Sequence, residues 1–209
     1  MEAYETEEQQ VEALKKWWKE NGRSVIAGIV IGLGAVGAWQ AWSSYRNSVN
    51  EQAANAFAEI TVAVDNGNTA SAIKQTEALM ETYGSTSYAA FAALVRARLA
   101  VEANDSVTAQ SRLEWALDHA PDSGFEQIAR IRLARVLFAK GDLDSAAALA
   151  NKGSKSFAGE YAALRGDIAS ARGDKKAARA AYQEALNEGV GDSALVQMKL
   201  DDAAPPEKS

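Results

Sequence analysis

A charge-free, mostly apolar run extends from Val25 to Trp42 (VIAGIVIGLGAVGAWQAW), and a sparser, periodic pattern follows almost to the C-terminus. The run holds 18 residues without a charge, and Gln40 is its only strongly polar member. A helix needs about 20 mostly apolar residues to cross the hydrocarbon core of a bilayer. Trp17 and Trp18 precede the run, while Trp39, Trp42 and Tyr45 close it. Aromatic rings with a polar edge favour both membrane interfaces, so this bracketing predicts a transmembrane helix over 25–45. A cleaved signal peptide is the rival reading, with Ala35-Val36-Gly37 as a weak cleavage mimic. The long, Glu-rich leader and the length of the run favour an uncleaved anchor. Inside the span, Gly28 and Gly32 form a GxxxG, which lets a second helix approach the backbone closely.

Residues 1–24 read as a separate cytoplasmic segment. Thr6-x-x-Gln9 predicts a capping box, and Val11, Leu14, Trp17 and Trp18 recur at helical spacing with Lys15, Lys16 and Lys19 among them. Asn21-Gly22 is expected to stop this short amphipathic helix, which would lie on the lipid surface or bind a partner.

Beyond a Ser-containing stretch, Ser43 to Asn50, long helical patterns break at regular intervals. The breaks are Asn66-Gly67-Asn68, Asn104-Asp105, Gly141-Asp142 and Gly173-Asp174, spaced 37, 37 and 32 residues apart. Tetratricopeptide repeats have a period of roughly 34 residues. Small residues flank each break: Ala97 and Ala100 before Asn104, Ala109 and Ala116 after it, then Ala134, Ala146, Gly166, Ala169, Ala178 and Ala185 around the next two. Helices lined with small residues pack closely, and helical pairs that cannot bury an apolar face alone stack into a solenoid. The first unit, about Glu51 to Tyr83, is the least regular, with Ala72 its one strong match. Ser193 to Leu200 predicts a short capping helix, and the Pro-containing end, 203–209, a disordered tail. The expected fold is therefore all-α: one N-terminal transmembrane helix, then a solenoid of about four helical hairpins over 46–202.

Charge sets the orientation. Lys15, Lys16, Lys19 and Arg23 precede the span, whereas Arg46 is followed by no further basic residue until Lys74. Cytoplasmic flanks carry the excess of Lys and Arg, so the N-terminus is expected inside and the large domain exported. Past the span, 22 acidic residues outnumber 18 basic ones, which excludes nucleic acid as a partner class. The chain has no Cys, so disulfides and thiolate metal sites are excluded.

Catalytic chemistry is hard to assemble here. The single histidine, His119, sits near a helix end before Pro121, where it reads as a solvated cap. No nucleophile–base pair, phosphate loop or metal motif is present, and no cofactor is expected. Binding is the better reading. If the first helix of each pair lines the concave face, Phe91, Leu94, Arg98 and Val101 share a groove with Ile128, Ile131, Arg135 and Phe138. An apolar strip with Arg residues suits a peptide or helix bearing a carboxylate. The plainer alternative is that these residues form core or are covered by the 195–200 helix.

Met1-Glu2-x-Tyr4, Gln10 to Lys15, Glu20-Asn21-Gly22, the Gly-rich span and Trp39…Trp42 together resemble the YfgM family, ancillary subunits of the SecYEG translocon. Leu133-Ala134-Arg135, Leu164 to Asp167, Gly173-Asp174-Lys175 and Gln197 to Leu200 extend the resemblance over the chain. It implies a bacterial inner-membrane protein with periplasmic repeats, bound to the Sec translocon and to the membrane-anchored chaperone PpiD. It implies help in passing exported polypeptides to periplasmic chaperones, and control of the Rcs envelope-stress regulator from the cytoplasmic side. It brings no catalytic residues. The expected function is a non-enzymatic adaptor; the alternatives are a regulator acting through the N-terminal helix and a structural membrane anchor.

Overall fold

The computed structural model describes residues 7–203, apart from the side chains of Glu7 and Glu8. Thr6 of the expected capping box and tail residues 204–209 lie outside the described residues. Within them the chain is helical and contains no strand. The helices are α1 (Glu7–Asp65), α2 (Thr69–Thr82), α3 (Ser87–Glu102), α4 (Ser106–Asp118) and α5 (Ser123–Ala139). They continue with α6 (Leu143–Ala150), a 3-10 turn at Lys155–Phe157, α7 (Ala158–Ala171), α8 (Lys175–Glu188) and α9 (Ser193–Asp202). Two compact units divide the chain, Met1–Val49 and Asn50–Ser209.

The first unit corrects one expectation. Asn21-Gly22 does not end a helix; it lies inside α1, as does the stretch Ser43 to Asn50. Asn21 Nδ2 donates to the Trp17 carbonyl at 3.0 Å, so its side chain rejoins the helix it was expected to stop. Gly22 keeps a helical backbone, and the Trp18 ring lies over it, 3.2 Å from where a Cβ would stand. An interior Gly costs a helix only about 1 kcal/mol against Ala. Residues 43–50 contain neither Gly nor Pro, so nothing in them interrupts the backbone ladder. The apolar window of α1 is long enough to cross a membrane, and none of it is buried within the chain.

The second unit, 50–209, is built from one joint used four times. At each hairpin turn a residue takes positive φ: Gly67 at 69°, Asn104 at 58°, Gly141 at 80° and Gly173 at 79°. The next residue donates its N–H five positions back, Asn68 to Ala63, Asp105 to Ala100, Asp142 to Leu137 and Asp174 to Ala169, at 2.8–3.0 Å. This is the Schellman closure, which satisfies carbonyls left free at a helix end. The same Asn or Asp then caps the following helix: its side chain accepts the N–H of Ser71, Thr108, Ser145 or Ala177. Three residues thus separate one helix from the next at each joint. Hydrogen bonds to the caps hold Asp105 and Asp142 below the usual carboxylate range.

The hairpins pack through small residues. On α3, Ala89, Ala90, Ala92, Ala93, Ala97 and Ala100 are buried, facing Ala109 and Ala116 of α4 and their neighbours. Ile60, Leu79 and Leu113 fill the space between layers, each at most 2% exposed. Full burial of such side chains contributes roughly 1.5–3 kcal/mol each. The weakly patterned first hairpin joins through Ala63, Ala72 and Leu99. Glu77 of α2 pairs with Arg96 of α3 at 3.0 Å and with Arg112 of α4 at 2.9 Å. At the C-terminal end, Ala178, Tyr182 and Ala185 of α8 pack with Ala162 and Ala163 of α7 and with Val196 of α9.

Two tyrosines depend on glycines. The Tyr182 ring lies against Gly166, with a ring carbon 2.4 Å from the place of a Cβ. Its hydroxyl donates to Asp167 Oδ1 at 2.9 Å, and Lys199 Nζ of α9 donates to both Asp167 oxygens at 2.7 and 2.9 Å. Tyr161 is fully buried against Gly153 and donates to Gln127 Oε1 at 2.7 Å. Burial pushes the Tyr161 hydroxyl up to about 12.

Candidate functional site

The N-terminal face comes first along the chain. Val11, Leu14, Trp17 and Trp18 all lie on α1 and are all exposed. At 100° per residue they fall within about 120° of the helix circumference, an apolar stripe. Gly28 and Gly32 sit one turn apart farther along, and nothing lies within 4 Å of the place of a Cβ on either.

In the repeat unit, a cavity of about 530 Å³ opens between the C-terminal halves of α3 and α5. Its walls are two matching stripes. Leu94, Ala97, Arg98 and Val101 come from α3, and Arg132, Arg135, Val136 and Ala139 from α5. Each stripe has the i, i+3, i+4, i+7 spacing of one helical face. Ser106 and Leu113 of α4, the turn residue Asn104 and Lys140 also line it. Leu94 and Val136 are buried, whereas Val101 is 51% exposed.

The groove is cationic. Arg98 Nε pairs with Glu102 on its own helix at 2.8 Å, which raises its pKa through the hydrogen bond and the carboxylate charge. Arg132 and Arg135 have no ion-pair partner among the described residues. Partial burial, with the neighbouring charges of Arg135 and Arg98, lowers the pKa of Arg132. Lys140 Nζ donates to the neutral Gln110 Oε1.

Four of the eight groove residues expected from sequence line this cavity: Leu94, Arg98, Val101 and Arg135. Ile131 is buried in the core, and Ile128 and Phe138 pack against it. Phe91 is 39% exposed and belongs to an aromatic group with Phe57, Tyr88 and Phe125, ring centroids 5.4–6.3 Å apart. Sequence reasoning missed Arg132, Val136 and Ala139. It carried the α3 stripe forward by the 37-residue turn spacing, whereas facing positions are offset by 38: 94 to 132, 97 to 135, 98 to 136 and 101 to 139. The periodicity of 132, 135, 136 and 139 was the available signal.

His119 caps α4, its ring stacked on Trp115 at 3.8 Å. Its Nδ1 lies 2.9 Å from the Trp115 carbonyl, which requires the proton on that nitrogen. Among the described residues no group of three or more His, Asp or Glu converges as a metal site requires.

The hairpin stack with an open groove defines a tetratricopeptide-type repeat protein. Residues 15–205 match the tetratricopeptide repeat-like domain family. The chain is 33% identical over 198 residues to the "Ancillary SecYEG translocon subunit" of Haemophilus influenzae, covering 93% of this chain and 96% of the relative. It is 32% identical over 196 residues to the protein of that name from Aggregatibacter actinomycetemcomitans, covering 93% of this chain and 96% of the relative. With the Escherichia coli K12 counterpart it shares 30% identity over 203 residues, or 96% of this chain and 98% of that one. The chain belongs to this family of ancillary SecYEG translocon subunits.

Proposed function

We propose that the chain is a membrane-anchored, non-enzymatic adaptor of the Sec translocon. Its N-terminus lies in the cytoplasm and its repeat unit in the periplasm, where it associates with the chaperone PpiD and helps hand exported polypeptides to periplasmic chaperones. The observation that carries this reading is the pairing, on one chain, of an unburied apolar helix with a repeat unit whose groove is open. Gly28 and Gly32, unfilled on their helix face, supply the span with a place for a neighbouring transmembrane helix.

Photo-crosslinking at Val101 in living cells tests the docking role. Adducts with PpiD or with exported chains are expected; adducts confined to this chain, in folded protein, overturn it. Topology is tested by Cys accessibility, because the chain has no Cys of its own. A membrane-impermeant maleimide should label Glu188→Cys and spare Glu12→Cys in intact cells. The reverse pattern overturns the orientation.

A second reading rests on the exposed stripe of Val11, Leu14, Trp17 and Trp18. That face is suited to the lipid surface or to a cytoplasmic regulator such as that of the Rcs system. Replacing the stripe with Ser should abolish such regulation and leave translocon association intact.

A further inference from the structure

We propose that the groove between α3 and α5 recognises an internal acidic, apolar-faced segment of a partner polypeptide, with Arg132, Arg135 and Lys140 taking its carboxylates. Leu94, Val101 and Val136 seat its apolar side chains. The inference deepens the adaptor reading and rests on it for the groove being a docking surface.

The argument is one of charge complementarity. The chain as a whole is acidic, at −6, yet this groove gathers four cations. Among the described residues Arg98 has a carboxylate partner, Glu102, whereas Arg132 and Arg135 have none and Lys140 meets a neutral amide. Arg132 carries its charge beside Arg135 and Arg98, an arrangement that costs the free protein energy and is relieved when anions arrive. Clustered Arg is also the side chain that best fits carboxylates, because its planar fork makes two parallel hydrogen bonds.

Geometry separates an internal segment from a chain end. Arg132 to Lys140 spans about 12 Å along the α5 axis at 1.5 Å per residue. Cations spread over about two turns of α5 suit several carboxylates along a segment better than the single one at a chain end. A segment with acidic residues on successive turns meets all of them, while its apolar residues lie over Leu94, Val101 and Val136. The exposed side chain of Val101 is left open for that purpose.

The test uses the full chain in detergent micelles and a fluorescein-labelled, C-terminally amidated peptide of about 14 Leu and Glu residues, about 21 Å long as a helix. Fluorescence anisotropy should show binding that weakens as salt rises. The Glu→Gln peptide should bind at least about tenfold more weakly, and Arg132→Glu/Arg135→Glu should weaken the acidic peptide by a similar factor. Lys175→Glu/Lys176→Glu, which makes the same charge change on α8, should alter binding by less than about threefold. Circular dichroism checks that each variant is folded, and Arg132→Gln/Arg135→Gln repeats the test without charge reversal. Equal binding of Glu and Gln peptides, equal loss in the α8 control, or no binding at all overturns the proposal. Tighter binding of the same peptide with a free C-terminal carboxylate, lost on amidation, overturns the internal-segment assignment. Co-purification of SecYEG with the Arg variants reads the adaptor role separately, so failure of one is not failure of the other.

Discussion

Gly166→Ala should destabilise the C-terminal end of the repeat unit, although the same change in an isolated helix stabilises. Gly166 lies within α7, where Ala would remove a propensity penalty of about 1 kcal/mol. Against that gain, the new methyl would stand 2.4 and 2.5 Å from two carbons of the Tyr182 ring. Overpacking of this kind costs about 1–3 kcal/mol. If the ring moves to make room, its hydroxyl leaves Asp167, and a hydrogen bond to a charged group contributes about 1.5–3 kcal/mol. The net loss is about 0–2 kcal/mol if the ring stays bonded and up to about 5 kcal/mol if the bond is lost as well. Urea unfolding of the full chain in micelles, followed by far-UV circular dichroism, should show a lower midpoint. Hydrogen exchange should quicken in α7, α8 and α9 and stay unchanged in α3 and α4, since repeats couple mainly to neighbours. Tyr182→Leu in the same background should recover part of the loss, which a double-mutant cycle would read as favourable coupling. A raised midpoint for Gly166→Ala would refute the account of the Gly–Tyr contact.

Other changes follow from the joints and the buried polar groups. Asn104→Gly should be neutral or slightly stabilising, because Asn104 holds φ of 58°, while Gly141→Val, at 80°, should cost about 1–2 kcal/mol; thermal melts compare the two. Lys199→Met removes the one cation bonded to Asp167 among the described residues and should free α9 first, so proteolysis near 193–202 should speed up while the rest of the unit stays resistant. Stability should decline as pH rises from the ordinary tyrosine value of 10.0 towards about 12, because over that window the unfolded chain loses the Tyr161 proton while the folded one keeps it. Tyr161→Phe should flatten part of that alkaline decline, measured as urea midpoint against pH, at the cost of the hydroxyl bond to Gln127, whose Oε1 still accepts the Ser154 N–H.

The membrane-length helix and the hairpin breaks were legible because each rests on local chemistry. A charge-free run needs no neighbour to be recognised, and a Gly or Asn followed by Asp or Asn needs only its own backbone to make the turn. Asn21-Gly22 misled for the same reason: read locally it stops a helix, but the Trp18 ring and the Asn21 amide let the helix continue. The groove was legible in part. Leu94, Arg98, Val101 and Arg135 follow from placing one helical face inward, whereas Arg132 and Val136 depend on how far α5 is rotated against α3. That rotation is set by packing between distant residues, such as Ala97 and Ala134, and leaves no mark on the spacing of turns.

The offset between facing stripes has a consequence for how this scaffold can change. The residues that fix hairpin length and closure are the Gly, Asn and Asp of the joints and the buried alanines; apart from Asn104 and Ala97, those that line the groove are a different set. Substitution at 98, 101, 132, 135 or 139 alters what the surface presents without touching a turn, a cap or the register of the stack. On the docking reading proposed above, the charge of the surface is therefore free to change while the architecture stays fixed.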